Sequence, residues 1–409
     1  MHKSMKILKD EKKINNLLEK AVDEIFPSKE ELKKLLLSGK RIKVYQGFDP
    51  TGPSLHIGHA VAMRKLEEFR ALGHEVIFLI GDFTAMIGDP TDKTAVRQKL
   101  SREEIAENLK NYKQQASKII DIDNKENPIK VLFNSKWLSK LTFEEIIELS
   151  SYFTVQQMIK RDMFQRRLKE NKAIYLNEFL YPLMQGYDSV NMEIDVEVCG
   201  HDQIFNALAG RHLSQELLQK NKFVLAGKMF GLEEGKKMGK TEGNMIQLDA
   251  KANDVFGKIM SFPDEKIIEG FELLTNKTPQ EVEEYEKFLK KPDTNPMDVK
   301  KELAFTITEE LTSQQEAEKA KKYFEDVFQK KDFKTDLEEF STQEKELDIL
   351  TLLHKTGIAQ SKGQARRLVK QMAVSIDGEK IKEPNYMLKL GKSVVLRAGK
   401  KIIKITKKA

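Results

Sequence analysis

Two histidines in His56-Ile57-Gly58-His59 and two lysines in Lys237-Met238-Gly239-Lys240-Thr241 are the residues of this chain best suited to chemistry. Two imidazoles and two ammonium groups can hold a nucleoside triphosphate while its α-phosphorus is attacked. Alone, neither element says much, because four-residue matches arise by chance and lysine runs are usually solvated surface. Together, in this order and each in a suitable setting, they point to phosphate handling. The first stands where a strand hands over to a helix, the second in a stretch crowded with glycine and lysine.

The histidines need a scaffold. Residues 42–46 read as a short strand and Gly47-Phe48-Asp49-Pro50-Thr51-Gly52-Pro53 as a turn-rich loop. A helix follows over 57–72, with Ala62, Met63, Leu66 and Phe69 on one apolar face and Gly73 as its stop. Residues 76–80 are continuously apolar, as a parallel strand covered on both faces should be. This is a βαβ unit opening a doubly wound, Rossmann-like α/β sheet, whose ligands bind beyond the carboxyl ends of the strands. His56 and His59 fall at that end, beside a helix N-terminus whose N–H groups and dipole favour phosphate.

Residues 97–177 read as mainly helical, with capping boxes at Ser101…Glu104 and Thr142…Glu145, and so as a connection inserted between two halves of the sheet. Ile194, Val196 and Val198 resume the strand pattern before Gly200-His201-Asp202-Gln203. Past Pro263 the chain reads as charged and helix-rich to about residue 343, punctuated by Pro279, Pro292 and Pro296. Two short amphipathic helices and a few β segments broken by Asp377-Gly378 and Gly391 are expected beyond residue 345. Three parts follow: 1–262, a nucleotide-binding domain with its inserted connection; 263–345, helical; and 346–409, a small α+β domain.

The 409-residue length is more than one core usually supports, and 40% apolar with 33% charged residues is ordinary for a globular protein. No apolar run approaches the roughly 20 residues that span a bilayer. The single cysteine, Cys199, excludes an intrachain disulfide and a cysteine-rich metal site, and reads as a small buried strand residue. Those features and the polar start of the chain suit the cytoplasm. Charge is uneven: residues 346–409 carry 15 Lys and Arg against 5 Asp and Glu, leaving 55 against 59 elsewhere. An acidic body with a basic tail is the footprint of nucleic-acid binding, unless the lysines merely keep a surface soluble.

Tyr181, Gln185 and Asp188 stand at i, i+4 and i+7, on one helix face, with Leu180, Leu183, Met184 and Tyr187 expected to be buried on the neighbouring stripe. That polar triad could face solvent. Its company argues otherwise, since Tyr45 at a strand end, Asp89 in Ile87-Gly88-Asp89-Pro90 and Gln203 in the glycine turn are hydrogen-bonding groups at the edge where the sheet opens.

In this order, Tyr45-Gln46-Gly47-Phe48-Asp49-Pro50-Thr51, His56-Ile57-Gly58-His59, Ile87-Gly88-Asp89-Pro90, Tyr181…Gln185…Asp188, Gly200-His201-Asp202-Gln203 and Lys237-Met238-Gly239-Lys240-Thr241 resemble the signature of bacterial tyrosyl-tRNA synthetases, class I aminoacyl-tRNA synthetases. The stretch 361–370 resembles a small RNA-binding module first seen in a small-subunit ribosomal protein. The resemblance implies that tyrosine is activated with ATP and transferred to the terminal adenosine of tRNA(Tyr). It implies that Tyr45 and Asp188 bind the substrate phenol, that Asp89, Tyr181 and Gln185 hold its ammonium, and that Gln203 orients its carboxylate. Asp202 and Gly200 would contact the ribose, with Asp49 and Gly58 lining the ATP side. Thr51 and His56 would meet the β- and γ-phosphates, and His59 the adenosine side. Lys237, Lys240 and Thr241 would clamp the departing pyrophosphate, Mg2+ arriving with ATP and no structural metal being expected. Arg366, Arg367 and Lys370, on a short helix, would grip tRNA phosphates. A homodimer formed through the inserted connection, roughly residues 97–165, is implied as well.

The chemistry agrees. The carboxylate of the amino acid is itself the nucleophile, so the protein must orient two substrates and neutralise charge on pyrophosphate, and needs no catalytic cysteine or serine. Gly239 and Thr241 replace serines of the commonest class I loop pattern, while both lysines remain. The roles of Gln46 and His201 are open. Three rival readings differ from this one in what the residues would have to show. A tryptophanyl-tRNA synthetase would have to read an indole N–H. A non-catalytic RNA-binding relative should have eroded phosphate motifs, and a small-molecule nucleotidyltransferase should lack the basic tail.

Overall fold

The computed structural model describes residues 6–89, 100–232, 245–329, 338–391, 393–399 and 401–407. They form two compact units, Met1–Gln314 and Gln315–Ala409.

The first unit is built on a six-stranded sheet of β1 (Val22–Phe26), β2 (Lys43–Phe48), β3 (Glu75–Ile80), β4 (Lys130–Phe133), β5 (Val196–Gly200) and β6 (Phe223–Gly227). Its order is β1-β6-β5-β2-β3-β4. Strands β2 to β6 run parallel and only β1 is antiparallel, paired to β6. Strand order reverses between β5 and β2, so the loops leaving their carboxyl ends diverge to opposite faces and open a crevice there. β3 is the fully covered strand that its sequence announced, with Val76, Ile77, Phe78, Leu79 and Ile80 all buried. Phe78 stacks on Phe48 of β2 at 4.2 Å.

The helix Ile57–Ala71 returns the chain from β2 to β3 and buries Ile57, Ala60, Met63, Leu66 and Phe69. It stops where expected, at Gly73, whose φ of +95° a side chain would strain and whose added Cβ would lie 2.6 Å from the Lys6 carbonyl. The helix also buries two cations. Arg64 donates to the Leu274 carbonyl at 2.8 Å and pairs with Glu310, while Lys65 donates to the Leu17 carbonyl at 3.0 Å. Charges this deep are tolerated because each is hydrogen-bonded. Through Arg64 the helices Ile267–Leu274 and Pro296–Leu311 pack as part of this unit. Pro279 and Pro296 begin helices behind the capping residues Thr278 and Asn295, which is where a proline costs no hydrogen bond.

Three expectations are corrected. The stretch 97–177 is not helical throughout, because Lys130–Phe133 is a parallel strand beside β3. Four residues were too short a run to separate from a helical pattern. In the helix Asn177–Asn191 only Leu183 of the expected apolar stripe is buried; Leu180, Met184 and Tyr187 are half-buried, and the polar face with Tyr181 and Asp188 points inward. Its partner is the helix Ile204–Leu218, which approaches so closely at Gly186 that a Cβ there would lie 3.3 Å from Gly210 Cα. Finally, Glu338–Thr342, inside the stretch read as helical, is a strand that pairs in parallel with Lys401–Lys407.

The second unit has a five-stranded sheet, a two-stranded ribbon and the helices Ile349–Lys355 and Lys362–Lys370. Its core includes Leu352, Leu353, Ala365, Val369, Leu396 and Ile405. Asp377 and Gly378 take positive φ at the tip of a hairpin, the geometry the Asp-Gly pair favours. No helix among the described residues is long and apolar enough to cross a membrane.

Candidate active site

A cavity of about 370 Å³ opens where the carboxyl ends of the parallel strands meet the surface. It is lined by residues at or just past each strand end: Gln46 to Asp49 and Thr51 at β2, Gly81 and Thr84 after β3, Asn134 after β4, Gly200, Asp202 and Gln203 at β5, and Lys228 to Phe230 after β6.

One edge is the N-terminus of Ile57–Ala71. His56 is the N-cap, and its Nδ1 accepts from Gly58 N–H at 3.2 Å. His59 Nδ1 accepts from His56 N–H at 3.1 Å, and the two rings sit 3.8 Å apart. With both Nδ1 atoms accepting, the neutral imidazoles carry their protons on Nε2 and are hydrogen-bond donors there. Gly58 leaves room for this, since a Cβ there would lie 3.0 Å from the His56 ring and press on it. Lys237, Lys240 and Thr241 lie outside the described residues, but both flanks of that segment reach this place. Lys228, Met229 and Phe230 line the cavity. On the other flank Ile57 N–H donates to the Ile246 carbonyl at 2.9 Å, Leu248 N–H donates to the Leu55 carbonyl at 3.0 Å, and His56 bridges to Gln247.

Between these edges stands Asp49. It accepts from Thr84 Oγ1 at 2.7 Å and from Tyr181 Oη at 2.8 Å. Gly81 makes room for it, because a Cβ there would lie 2.0 Å from Asp49 Oδ1. Burial, followed by the neighbouring charges of Asp49 and Asp89, pushes the Tyr181 phenol well above its usual range and keeps it protonated. Gln203 donates to Asp89, and Asn206 Nδ2 in turn donates to Gln203 Oε1 at 2.8 Å. Thr51, Gly200 and Asp202 also line the cavity.

Deeper in, Asp188 is 3% exposed. Trp137 Nε1 donates to its Oδ1 at 2.7 Å and Asn134 Nδ2 to its Oδ2 at 3.2 Å. Burial raises its pKa well above the ordinary carboxylate range, while those two donors pull it down. Tyr45 lies across the cavity floor with its hydroxyl 3.0 Å from Ser189 Oγ. Gln185 Nε2 donates to Glu197 at 2.8 Å.

Every residue expected on the tyrosine and ATP sides, apart from the lysine segment, therefore lines one cavity. Arg366, Arg367 and Lys370 belong to the second unit and are exposed on Lys362–Lys370, whose Ala365 and Val369 are buried. Several contributors were missed. Asn134 directly follows the strand hidden in the supposed helical connection, and Trp137 lies in the one-turn helix Ser135–Leu138 after it. Tyr112, Asn108 and Gln115 fasten the turn after β2, with Tyr112 Oη donating to the Gly52 carbonyl at 2.7 Å, Asn108 Nδ2 to the Pro50 carbonyl at 2.9 Å and Gln115 Oε1 accepting from Leu55 N–H at 2.6 Å. Glu197, a carboxylate inside an apolar strand pattern, was the one legible signal. The two residues left open divide: Gln46 lines the cavity with a buried Oε1 that has no partner among the described residues, and His201 contacts the exposed Asp23.

The family model "tRNA synthetases class I (W and Y)" matches residues 37–329. The chain belongs to this family. A second model, the "Tyrosine--tRNA ligase SYY-like C-terminal domain", matches residues 329–405. The tyrosine–tRNA ligase of Oleidesulfovibrio alaskensis is 44% identical over 92% of this chain and 94% of its own. That of Thermotoga maritima is 42% identical over 94% of this chain and 95% of its own. Among solved structures, a C-terminally truncated mitochondrial tyrosyl-tRNA synthetase of Coccidioides posadasii superposes with a TM-score of 0.62 at 22% identity, covering 76% of this chain and 91% of that one. That likeness bears on the fold.

Proposed function

We propose that this chain is a tyrosine–tRNA ligase, with ATP, L-tyrosine and tRNA(Tyr) as substrates and Mg2+ entering as the ATP complex. The observation that carries the reading is the single cavity at the strand switch. It gathers a buried carboxylate, an acceptor-rich ledge and a paired-histidine helix end within one ligand-sized volume.

In the first step the tyrosine carboxylate oxygen attacks the α-phosphorus, a mixed carboxyl–phosphate anhydride forms and pyrophosphate leaves. In the second, a hydroxyl of the terminal adenosine attacks the carbonyl carbon and AMP leaves. Asp188, with Tyr45 beside it, receives the phenol. Asp89, Tyr181 and Gln185 face the ammonium, and Gln203 the carboxylate end. Asp49, Gly58, Gly200 and Asp202 form the nucleoside side. Thr51, His56, Lys237, Lys240 and Thr241 meet the phosphates, where donors aimed at developing charge accelerate the step most, and His59 stands on the adenosine side. Arg366, Arg367 and Lys370 hold tRNA. In this reading residues 1–262 carry adenylation, 263–345 the anticodon side and 346–409 an RNA grip.

A cytoplasmic homodimer completes the proposal. Phe143, Ile147 and Val155, in the connection assigned to the interface, are 78%, 57% and 69% exposed, and large apolar side chains clustered on a surface mark interaction sites. The test is tyrosine-dependent ATP–pyrophosphate exchange by the purified protein. Exchange with tyrosine and not with tryptophan or phenylalanine is expected; its absence overturns the reading.

A further inference from the structure

At the wall of the cavity, which Glu197 helps to line and Lys222 does not, lies an ion pair to which the proposed adenylation assigns no role. Lys222 and Glu197 are in contact, and their side chains are 0% and 2% exposed. Such a pair carries a large desolvation cost and is weak evidence of stabilisation by itself, so its connections matter more than its strength. Lys222 Nζ also donates to the Ala207 carbonyl at 3.1 Å. Glu197 is the direct sheet neighbour of Tyr45, and its Oε1 accepts from Gln185 Nε2 at 2.8 Å. Ser189 Oγ stands 3.5 Å from its Oε2 and 3.0 Å from Tyr45 Oη.

An ionised carboxylate can only accept. Glu197 therefore fixes which end of the Gln185 amide faces it. With the NH2 turned to Glu197, the carbonyl oxygen is the end left for the cavity that Gln185 lines. Against a substrate ammonium, which can only donate, that orientation binds and the flipped one repels. Glu197 in turn depends on Lys222, the cation in contact with it. The site is shaped for this ammonium: a Cβ on Gly210 would lie 2.6 Å from Lys222 Nζ.

We infer that Lys222 and Glu197 are positioning residues for the amino-acid subsite, holding Gln185 with its carbonyl oxygen toward the ammonium of the substrate. This rests on the reading of Gln185 as an ammonium ligand. It makes the pair a determinant of selectivity for an α-amino acid over its des-amino analogue.

The experiment measures dissociation constants for L-tyrosine and for 3-(4-hydroxyphenyl)propionate, which lacks only the ammonium, on the full-length protein and its Lys222→Met, Glu197→Gln, Gly210→Ala and Gln185→Ala variants. Pyrophosphate exchange gives KM for tyrosine and for ATP alongside. For Lys222→Met and Glu197→Gln, tyrosine binding is expected to weaken about tenfold or more, the scale of one hydrogen bond to a charged group. The des-amino analogue and the KM for ATP should change less than about twofold. Gly210→Ala presses on the ammonium while both charges remain, but its Cβ would also lie 3.0 Å from Ser189 Oγ and 3.3 Å from Gly186 Cα, so the volume-conserving Glu197→Gln carries the comparison if Lys222→Met does not fold. Equal weakening of both ligands would make the pair merely structural and overturn the inference, as would no weakening of either. If Gln185→Ala loses the preference for tyrosine and the pair's variants keep it, the link to Lys222 fails while the assignment of Gln185 stands. If Gln185→Ala keeps the preference, the assignment itself fails and the inference falls with it.

Discussion

Asp188 shows how much a single residue can ask of its surroundings. Both its oxygens are already held, one by the Trp137 indole and one by the Asn134 amide, so its carboxylate cannot swing away from an incoming phenol. Asp188→Asn would place an amide NH2 against a donor on one side or the other. Leaving a buried polar group unpaired costs about 1–3 kcal/mol. Tyrosine affinity measured by equilibrium dialysis should therefore fall about 10- to 100-fold, with discrimination against phenylalanine reduced in parallel. Trp137→Phe, which removes one donor and keeps the ring, should show a smaller loss of the same kind; unchanged discrimination in both would remove Asp188 from the phenol's site. The polar triad was legible because i, i+4, i+7 spacing fixes a helix face whatever the fold. Trp137 and Asn134 were not, because what joins them to Asp188 is the adjacency of β4 to β3, a pairing that four residues of sequence do not announce.

At the scale of elements, the N-terminus of Ile57–Ala71 depends on the absence of a methyl group. Gly58→Ala would press a Cβ against the His56 ring, which is the part able to move. Pyrophosphate exchange should slow at least tenfold while the denaturant midpoint changes little, because the helix itself gains a better former than glycine. A normal rate would show that the His56 position is immaterial. The other end of the connection holds a pH liability. His74 is fully buried just before β3, neither ring nitrogen has a partner among the described residues, and burial with the nearby Arg41 charge lowers its pKa to about 4. Between about pH 6.5 and about 4 the unfolded chain takes up a proton at this ring and the folded chain does not, so stability falls as pH falls through that window, by roughly 3 kcal/mol at its foot. His74→Phe should flatten the decline of the urea midpoint between pH 7 and pH 5; an unchanged slope would assign the acid sensitivity elsewhere. The βαβ unit and both capping boxes were readable because each is a local rule. The antiparallel β1 and the strand Glu338–Thr342 were not, since a strand at a sheet edge is defined by the partner it finds.

For the molecule as a whole, the cavity and its supports belong to Met1–Gln314 and the concentrated basic surface to Gln315–Ala409. A chain ended after Gln314 should retain tyrosine-dependent pyrophosphate exchange within about twofold and lose most tRNA charging. Binding of labelled tRNA to the full chain should weaken steeply with salt, since phosphate contacts release counterions. Full charging by the shortened chain with the same salt slope would return the tail's lysines to the role of a solvated surface. Charge asymmetry along the chain made this division visible in composition, although the compact unit begins about thirty residues before the basic stretch. Helices that pack onto a sheet look, in sequence, like any other charged amphipathic helices.

Trp137 is the only tryptophan in the chain, and its indole N–H points at the carboxylate expected to meet the phenol. The protein consequently carries one built-in optical reporter, hydrogen-bonded to the residue proposed to receive the substrate phenol. Excitation near the red edge of indole absorption should give emission from this ring alone, tuned by how tightly Asp188 holds its N–H. Tyrosine that engages Asp188 should shift or quench that emission, and ATP added alone should not. Stopped-flow fluorescence could then follow substrate arrival on the unlabelled enzyme, with Trp137→Phe as the dark control.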